Sequence, residues 1–106
     1  MKRGEVWWVN FGPGRGGEIR KQRPALIISN DLSNKYLNRL QVIPLSTQIS
    51  HIYPSEAQVT LHGQSNKAMA DQLMTVSKLR LKKMAGRLSS SDMKKVERVI
   101  KIQLGL

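Results

Sequence analysis

The chain has 106 residues, 40% of them hydrophobic, which suits one compact domain with a modest core. It carries 18 Lys and Arg against 7 Asp and Glu, a formal charge of +11, and no cysteine. That composition excludes a disulfide framework and thiolate chemistry, and it points to polyanionic partners: nucleic acid, an anionic membrane surface or an acidic protein.

Two histidines, His51 and His62, stand in no recognised ligand spacing, so no metal site is expected. No apolar run reaches membrane-spanning length, and the start, MKRGEVWWVNFG, lacks the form of a signal peptide. The expectation is a cytoplasmic protein with no membrane partner.

In chain order, Glu5 to Phe11 (EVWWVNF) is rich in β-formers. Alternation puts Val6, Trp8 and Asn10 on one face and Trp7 and Val9 on the other. The stretch Gly12 to Ser29, GPGRGGEIRKQRPALIIS, then opens with Gly12, Gly14, Gly16 and Gly17. One acid, Glu18, follows among Arg15, Arg20, Lys21 and Arg23. Such glycines invite a phosphate-loop reading, but a phosphate loop must open a helix, and there is no G-K-[ST]. Here the loop leads into Pro24 to Ser29, a continuous apolar run typical of a buried strand. The segment therefore reads as a loop between two strands.

Asn30 to Asn38 is polar and turn-like. Leu40 to Leu45 is a further strand, in which Pro44 suggests an edge or a strand end. Ser46 to Pro54 is a loop, Glu56 to Leu61 alternates cleanly, His62 to Asn66 is a turn, and Ala68 to Val76 is again β-compatible. Lys78, Arg80, Lys82, Lys83 and Arg87 form a basic run, read as a solvated face that also attracts polyanions. Ser89 to Asp92 offers helix N-cap residues, a 3.6-residue period runs through Met93, Val96, Val99 and Ile100, and Gly105 is a stop. The pattern predicts a small β-barrel or sandwich closed by a C-terminal helix.

The segments RGEVWWV, GPGRGGEIRKQRPALIIS, VIPLSTQ and AMADQLMTV, in this order, resemble the MazF/PemK family of toxins from toxin–antitoxin systems. The resemblance runs from Arg3 to the C-terminal helix. It implies a mainly β fold, an SH3-like β-barrel with a C-terminal helix, spanning residues 1–106 as a single domain and working as a homodimer. It implies a metal-independent, cofactor-free endoribonuclease that cuts single-stranded RNA at short motifs, and an acidic antitoxin of the MazE or PemI kind as partner. DNA would be met only through the antitoxin.

In the family pattern Glu18 and Arg23 occupy the catalytic glutamate and arginine positions, and Ser46 stands where threonine is usual. Asp71 and Gln72 match an Asp-Gln pair near the same groove. Arg15, Arg20, Lys21, Thr47 and Gln48 complete the expected RNA-binding set.

The residue chemistry is compatible with that expectation. Metal-free cleavage uses the 2′-hydroxyl as nucleophile and leaves a 2′,3′-cyclic phosphate or 3′-phosphate and a 5′-hydroxyl. It needs a proton acceptor, a donor to the leaving oxygen and stabilisation of charge on phosphorus. Glu18 suits the first task and Arg23 the last. A loop-shaping salt bridge between them is the alternative.

Three positions depart from the pattern. Gly12 stands where many members have aspartate, Gly17 where many have serine or histidine, and Met69 where the PemK branch has an arginine. The last leaves Asp71 open between a groove role and a buried structural role. His51 and His62 read as surface residues, and of Trp7 and Trp8 one is core while the other is core, dimer contact or groove lining. A nucleic-acid-binding module without cleavage, or an antitoxin-binding autoregulatory module, are the competing functions.

Overall fold

The structure is a computed structural model that describes residues 1–12 and 21–106. Its strands are β1 (Glu5–Asn10), β2 (Gln22–Ile27), β3 (Arg39–Ser46), β4 (Glu56–Leu61), β5 (Gln64–Met69), β6 (Met74–Ser77) and β7 (Leu81–Arg87). A short helix, α1 (Asp31–Tyr36), follows β2, and a longer one, α2 (Ser90–Leu104), ends the fold. The strands form one antiparallel sheet in the order β4-β5-β3-β2-β1-β7, with β6 also paired to β3. The curled sheet and C-terminal helix are those of the expected SH3-like barrel.

Apolar side chains pack on both faces of this sheet. Val6, Leu26, Ile43, Leu45 and Val59 form one core with Met93, Val96 and Val99 of α2. Val9, Ala25, Ile27, Leu40, Val42, Val76 and Leu81 form the other, with Trp7 and Phe11 against them. Val6 and Val9 therefore face opposite ways, as the alternation of β1 requires. Arg3 draws the layers together: its Nε donates to Ile28 O at 3.0 Å and its guanidinium meets Glu97 of α2 at 2.9 Å.

Three local readings need correction. The polar stretch Asn30 to Asn38 contains α1, because Asn30 Oδ1 accepts the Ser33 N–H at 2.8 Å and caps the helix. Asn34 is buried with its amide donated to Ser29 O at 2.9 Å, so a polar residue is accommodated inside. Pro44 sits neither at an edge nor at a strand end. It lies inside β3, opposite Ala25, where the other side of the strand changes partner from β6 (up to Val42) to β5 (from Leu45). A residue without an N–H is tolerated at that break in the ladder.

The expected strand Ala68 to Val76 is interrupted by a 3₁₀ turn at Ala70–Gln72. The basic run is the solvated face expected, with Arg80, Lys82, Lys83 and Arg87 exposed, and part of it is carried on the paired strand Leu81 to Arg87.

The β4–β5 hairpin turns on two residues, His62 (φ 50°) and Gly63 (φ 74°), the left-handed pair of a type I′ turn. Helix α2 starts and stops as its sequence predicts: Ser89 Oγ accepts the Asp92 N–H at 3.1 Å, and Gly105 ends it with φ 71°.

β7 carries two bulges against β1. Trp7 pairs with Met84 while Val6 pairs with Gly86, leaving Ala85 out of register, and Lys82 is passed over in the same way. The freed Ala85 carbonyl meets His62 Nε2. The two outer strands of the order, β4 and β7, thus approach each other at the hairpin tip. Gly86 permits this: a Cβ there would lie 2.9 Å from Leu61 Cδ1 and 3.0 Å from His62 Nε2.

Candidate active site

Strand order places Arg23 and Ser46 toward one end of the sheet, on the adjacent strands β2 and β3. Ala25 stands opposite Pro44, and Arg23 and Ser46 each lie two residues further toward the same end of the sheet. The two-residue period puts both on one face. Arg23 is half-buried, and its guanidinium forms no ion pair or side-chain hydrogen bond with another described residue. Ser46 is buried. Its Oγ accepts the Gln48 N–H at 3.1 Å, which leaves its own proton available to donate. Thr47 and Gln48 follow, both exposed.

Glu18, Arg15 and Arg20 lie outside the described residues. Their segment is attached at a closed neck: Phe11 N–H donates to Lys21 O at 2.9 Å and Lys21 N–H to Gly12 O at 2.8 Å. Lys21 is exposed there and takes φ 62°, unusual for a residue with a Cβ. Sequence reasoning passed over Arg80 as one cation of a run. Its Nη1 donates to Asn10 O at 3.1 Å, so it reaches the same neck. The signal was absent from spacing because the β1–β7 pairing, not local sequence, brings it there.

The loop after Ser46 is tied down by a buried pair. Lys67 Nζ lies 3.2 Å from Glu56 Oε1, donates to His51 O at 3.0 Å, and sits opposite Ser46 in the β3–β5 register. Glu56 in turn accepts the Tyr53 N–H at 2.8 Å. His51 stacks at a tilt on Tyr53, and both histidines are exposed and in separate loops.

Asp71 and Gln72 occupy the 3₁₀ turn between β5 and β6, on the edge of β3 away from β2. Asp71 is exposed, which removes the buried structural reading; Ala70 supplies the burial at that turn. Gln72 is half-buried.

Acids elsewhere are occupied with bases. Glu5 meets Arg87 at 3.2 Å, Glu97 meets Arg3, Glu56 meets Lys67, and Asp92 meets Lys95 at 3.6 Å. Burial alone would raise the Glu5 carboxyl. The Trp7 indole N–H, the Lys2 N–H, the amino terminus and Arg87 together outweigh it and hold the group below its ordinary value. Asp31 is likewise lowered, by the Arg3 N–H and the Asn34 amide. The outward field is therefore strongly cationic, suited to a polyanion. Among the described residues no three His, Asp or Glu side chains gather as a metal site would require, and no helix is long and apolar enough to cross a membrane.

A basic SH3-like barrel with Arg23 and Ser46 toward one end of its sheet defines a class that comparison with known proteins makes specific. Residues 2–104 match the family described as PemK-like, MazF-like toxin of type II toxin–antitoxin system, and the chain belongs to that family. It is 34% identical to endoribonuclease MazF9 of Mycobacterium tuberculosis, over all of this chain and 98% of that protein. A crystal structure of MazF from Deinococcus radiodurans superposes with a TM-score of 0.87 at 25% identity, covering 100% and 97% of the two chains. A MazE–MazF crystal structure from the same organism superposes with a TM-score of 0.81, also at 25% identity and covering 100% and 97%.

Proposed function

We propose that this protein is a metal-independent endoribonuclease that cuts single-stranded RNA, mRNA in the cytoplasm, at short sequence motifs. It works as a homodimer and is held in check by an acidic antitoxin of the MazE or PemI kind. The family match, the endoribonuclease relative and the similarity to the MazE–MazF structure support the class. The observation that supports the chemistry is that Arg23 and Ser46 each lie two residues beyond the Ala25–Pro44 pair, toward the end of the sheet where the neck of the 13–20 segment is attached.

In this reading Glu18 accepts or orients the 2′-hydroxyl proton. The 2′-oxygen bonds to phosphorus, the bond to the 5′-oxygen breaks, and that oxygen takes up a proton. Arg23 neutralises the charge that grows on the phosphoryl oxygens, a role its fixed, planar cation suits better than proton donation. Ser46, with its lone pair given to Gln48 N–H, donates its proton to a phosphate oxygen. Thr47, Gln48, Lys21, Arg15 and Arg20 contact the RNA backbone and bases, and Asp71 and Gln72 extend that surface across β3.

The test is incubation of purified protein with a long single-stranded RNA in EDTA, beside Arg23→Ala. Discrete fragments with 5′-hydroxyl ends, lost in the variant, are expected. RNA binding without cut products from a folded wild type would overturn the nuclease reading in favour of a binding or antitoxin-regulated module.

A further inference from the structure

A cavity of about 380 Å³ opens at the end of the sheet that carries Arg23 and Ser46, on the opposite face. Trp8, Pro24, Thr47, Leu61, Gln64 and Lys83 contribute to its walls. We propose that it is a nucleobase subsite, in which one base of the RNA stacks on Trp8 and has its edge read by Thr47 and Gln64. The proposal rests on the reading of the protein as an RNA-cutting enzyme and adds to it a specificity-determining pocket.

The two tryptophans argue for this by contrast. Trp7 packs on the core and its indole N–H is satisfied by Glu5 at 2.9 Å. Trp8 is left 39% exposed at the cavity, and its indole makes no hydrogen bond with another described residue. An open aromatic face is costly in water and is the platform on which a base of any identity stacks.

Discrimination needs polar groups beside that platform. Thr47 and Gln64 line the same cavity, and neither side chain is hydrogen-bonded to another described residue. Lys83 stands directly opposite Trp8 in the β1–β7 register and forms no ion pair among the described residues. An ammonium next to a stacked base is where the phosphate of that nucleotide would lie.

Position argues the same way. Pro24 and Thr47 are the chain neighbours of Arg23 and Ser46, so the cavity and the Arg23–Ser46 pair lie at one end of the sheet on its two faces. A strand cut at Arg23 and Ser46 passes that end and can turn an adjacent base over it. The far wall is fixed by the His62 contact with Ala85 and by the missing Cβ of Gly86, which gives the pocket a defined width. The volume suits a base with its ribose.

The test compares wild type with Trp8→Phe, Trp8→Leu and Thr47→Val, each checked for fold by circular dichroism and for oligomeric state by sedimentation. On a short RNA containing the cut motif, Trp8→Leu is expected to raise KM roughly tenfold to a hundredfold with kcat little changed, and Trp8→Phe to restore most of the loss. On a long RNA, Thr47→Val is expected to relax the base required at one motif position.

A second readout is independent of cleavage: an uncleavable all-deoxy version of the oligonucleotide should quench tryptophan emission in wild type and not in Trp8→Phe. Unchanged KM and cut pattern in folded variants, or equal quenching in both, overturn the subsite. A Trp8→Leu protein that changes oligomeric state overturns it in favour of a contact between copies. A wild type that cuts no RNA but shows Trp8-dependent quenching overturns the nuclease reading and keeps the pocket.

Discussion

Arg23 and Ser46 lie on neighbouring antiparallel strands, each two residues beyond the Ala25–Pro44 pair and on the same face of the sheet. Because rigid strands fix the spacing, changes at either position should act on the chemical step more than on folding. Arg23→Ala is expected to lower kcat/KM by about 10²–10³, the loss typical of one oxyanion-stabilising group. Arg23→Lys should recover little, since an ammonium lacks the planar fork. Ser46→Thr should keep most activity, while Ser46→Ala should lose both the donated proton and the Gln48 tether. Single-turnover cleavage of an RNA oligonucleotide measures each.

Lys67 and Glu56 are a buried ion pair, their side chains 11% and 6% exposed. Breaking one partner strands the other, so Glu56→Gln and Lys67→Met should each cost about 3–5 kcal/mol in urea unfolding. The double variant should recover a large part of that loss. Full additivity of the two single losses would show that the charges do not depend on each other.

Glu5 sets an acid limit on stability. Its folded pKa lies below the ordinary 4.5, so between the two values the unfolded chain binds more protons. The stability that Glu5 contributes is complete above about pH 4.5 and disappears as pH falls through the lowered folded value. Glu5→Gln should cost about 1–3 kcal/mol at neutral pH and flatten the loss of stability as pH falls below about 4.5. Thermal unfolding of both proteins across that range tests it, and parallel curves would remove Glu5 as the cause.

RNA affinity should fall steeply with salt, by a slope of about −0.7 in log–log form for each phosphate neutralised. Replacing a cation that touches a phosphate should reduce the slope by about that amount. Lys21→Gln and Arg80→Gln, at the neck of the 13–20 segment, are expected to do so, and Lys94→Gln, exposed on α2, is not. Binding titrations at several salt concentrations distinguish them.

Much of this was legible from local chemistry. The alternation of Glu56 to Leu61, the Ser89 cap and the Gly105 stop are short-range signals, and the strand and helix they predict formed. What sequence misread was decided at a distance. Pro44 looked like an edge residue because nothing local reveals that β3 exchanges β6 for β5 beside it. The stretch Asn30 to Asn38 looked turn-like because its polar residues find their partners, the Ser33 N–H for Asn30 and Ser29 O for Asn34, only once α1 has formed. Arg80 and the Trp8 cavity depend on the pairing of the chain's first strand with its last. The roles of Arg23 and Ser46 rest on the family resemblance; periodicity alone places each on a strand without saying which strand lies beside it.

The two outer strands of the sheet carry a consequence for how copies of the protein can meet. On β4 the Thr60 N–H is already taken by Asp92 Oδ2 of α2, at 2.8 Å. On β7 two bulges and the exposed cations Lys82, Lys83 and Arg87 break the flat, neutral edge that another strand would need. On these two borders an added strand would find one donor already taken and a bulged, charged ladder, which disfavours ribbon-like growth there. At these borders contact between copies through side chains is favoured over strand addition, and such contact stops when the matching faces are used up.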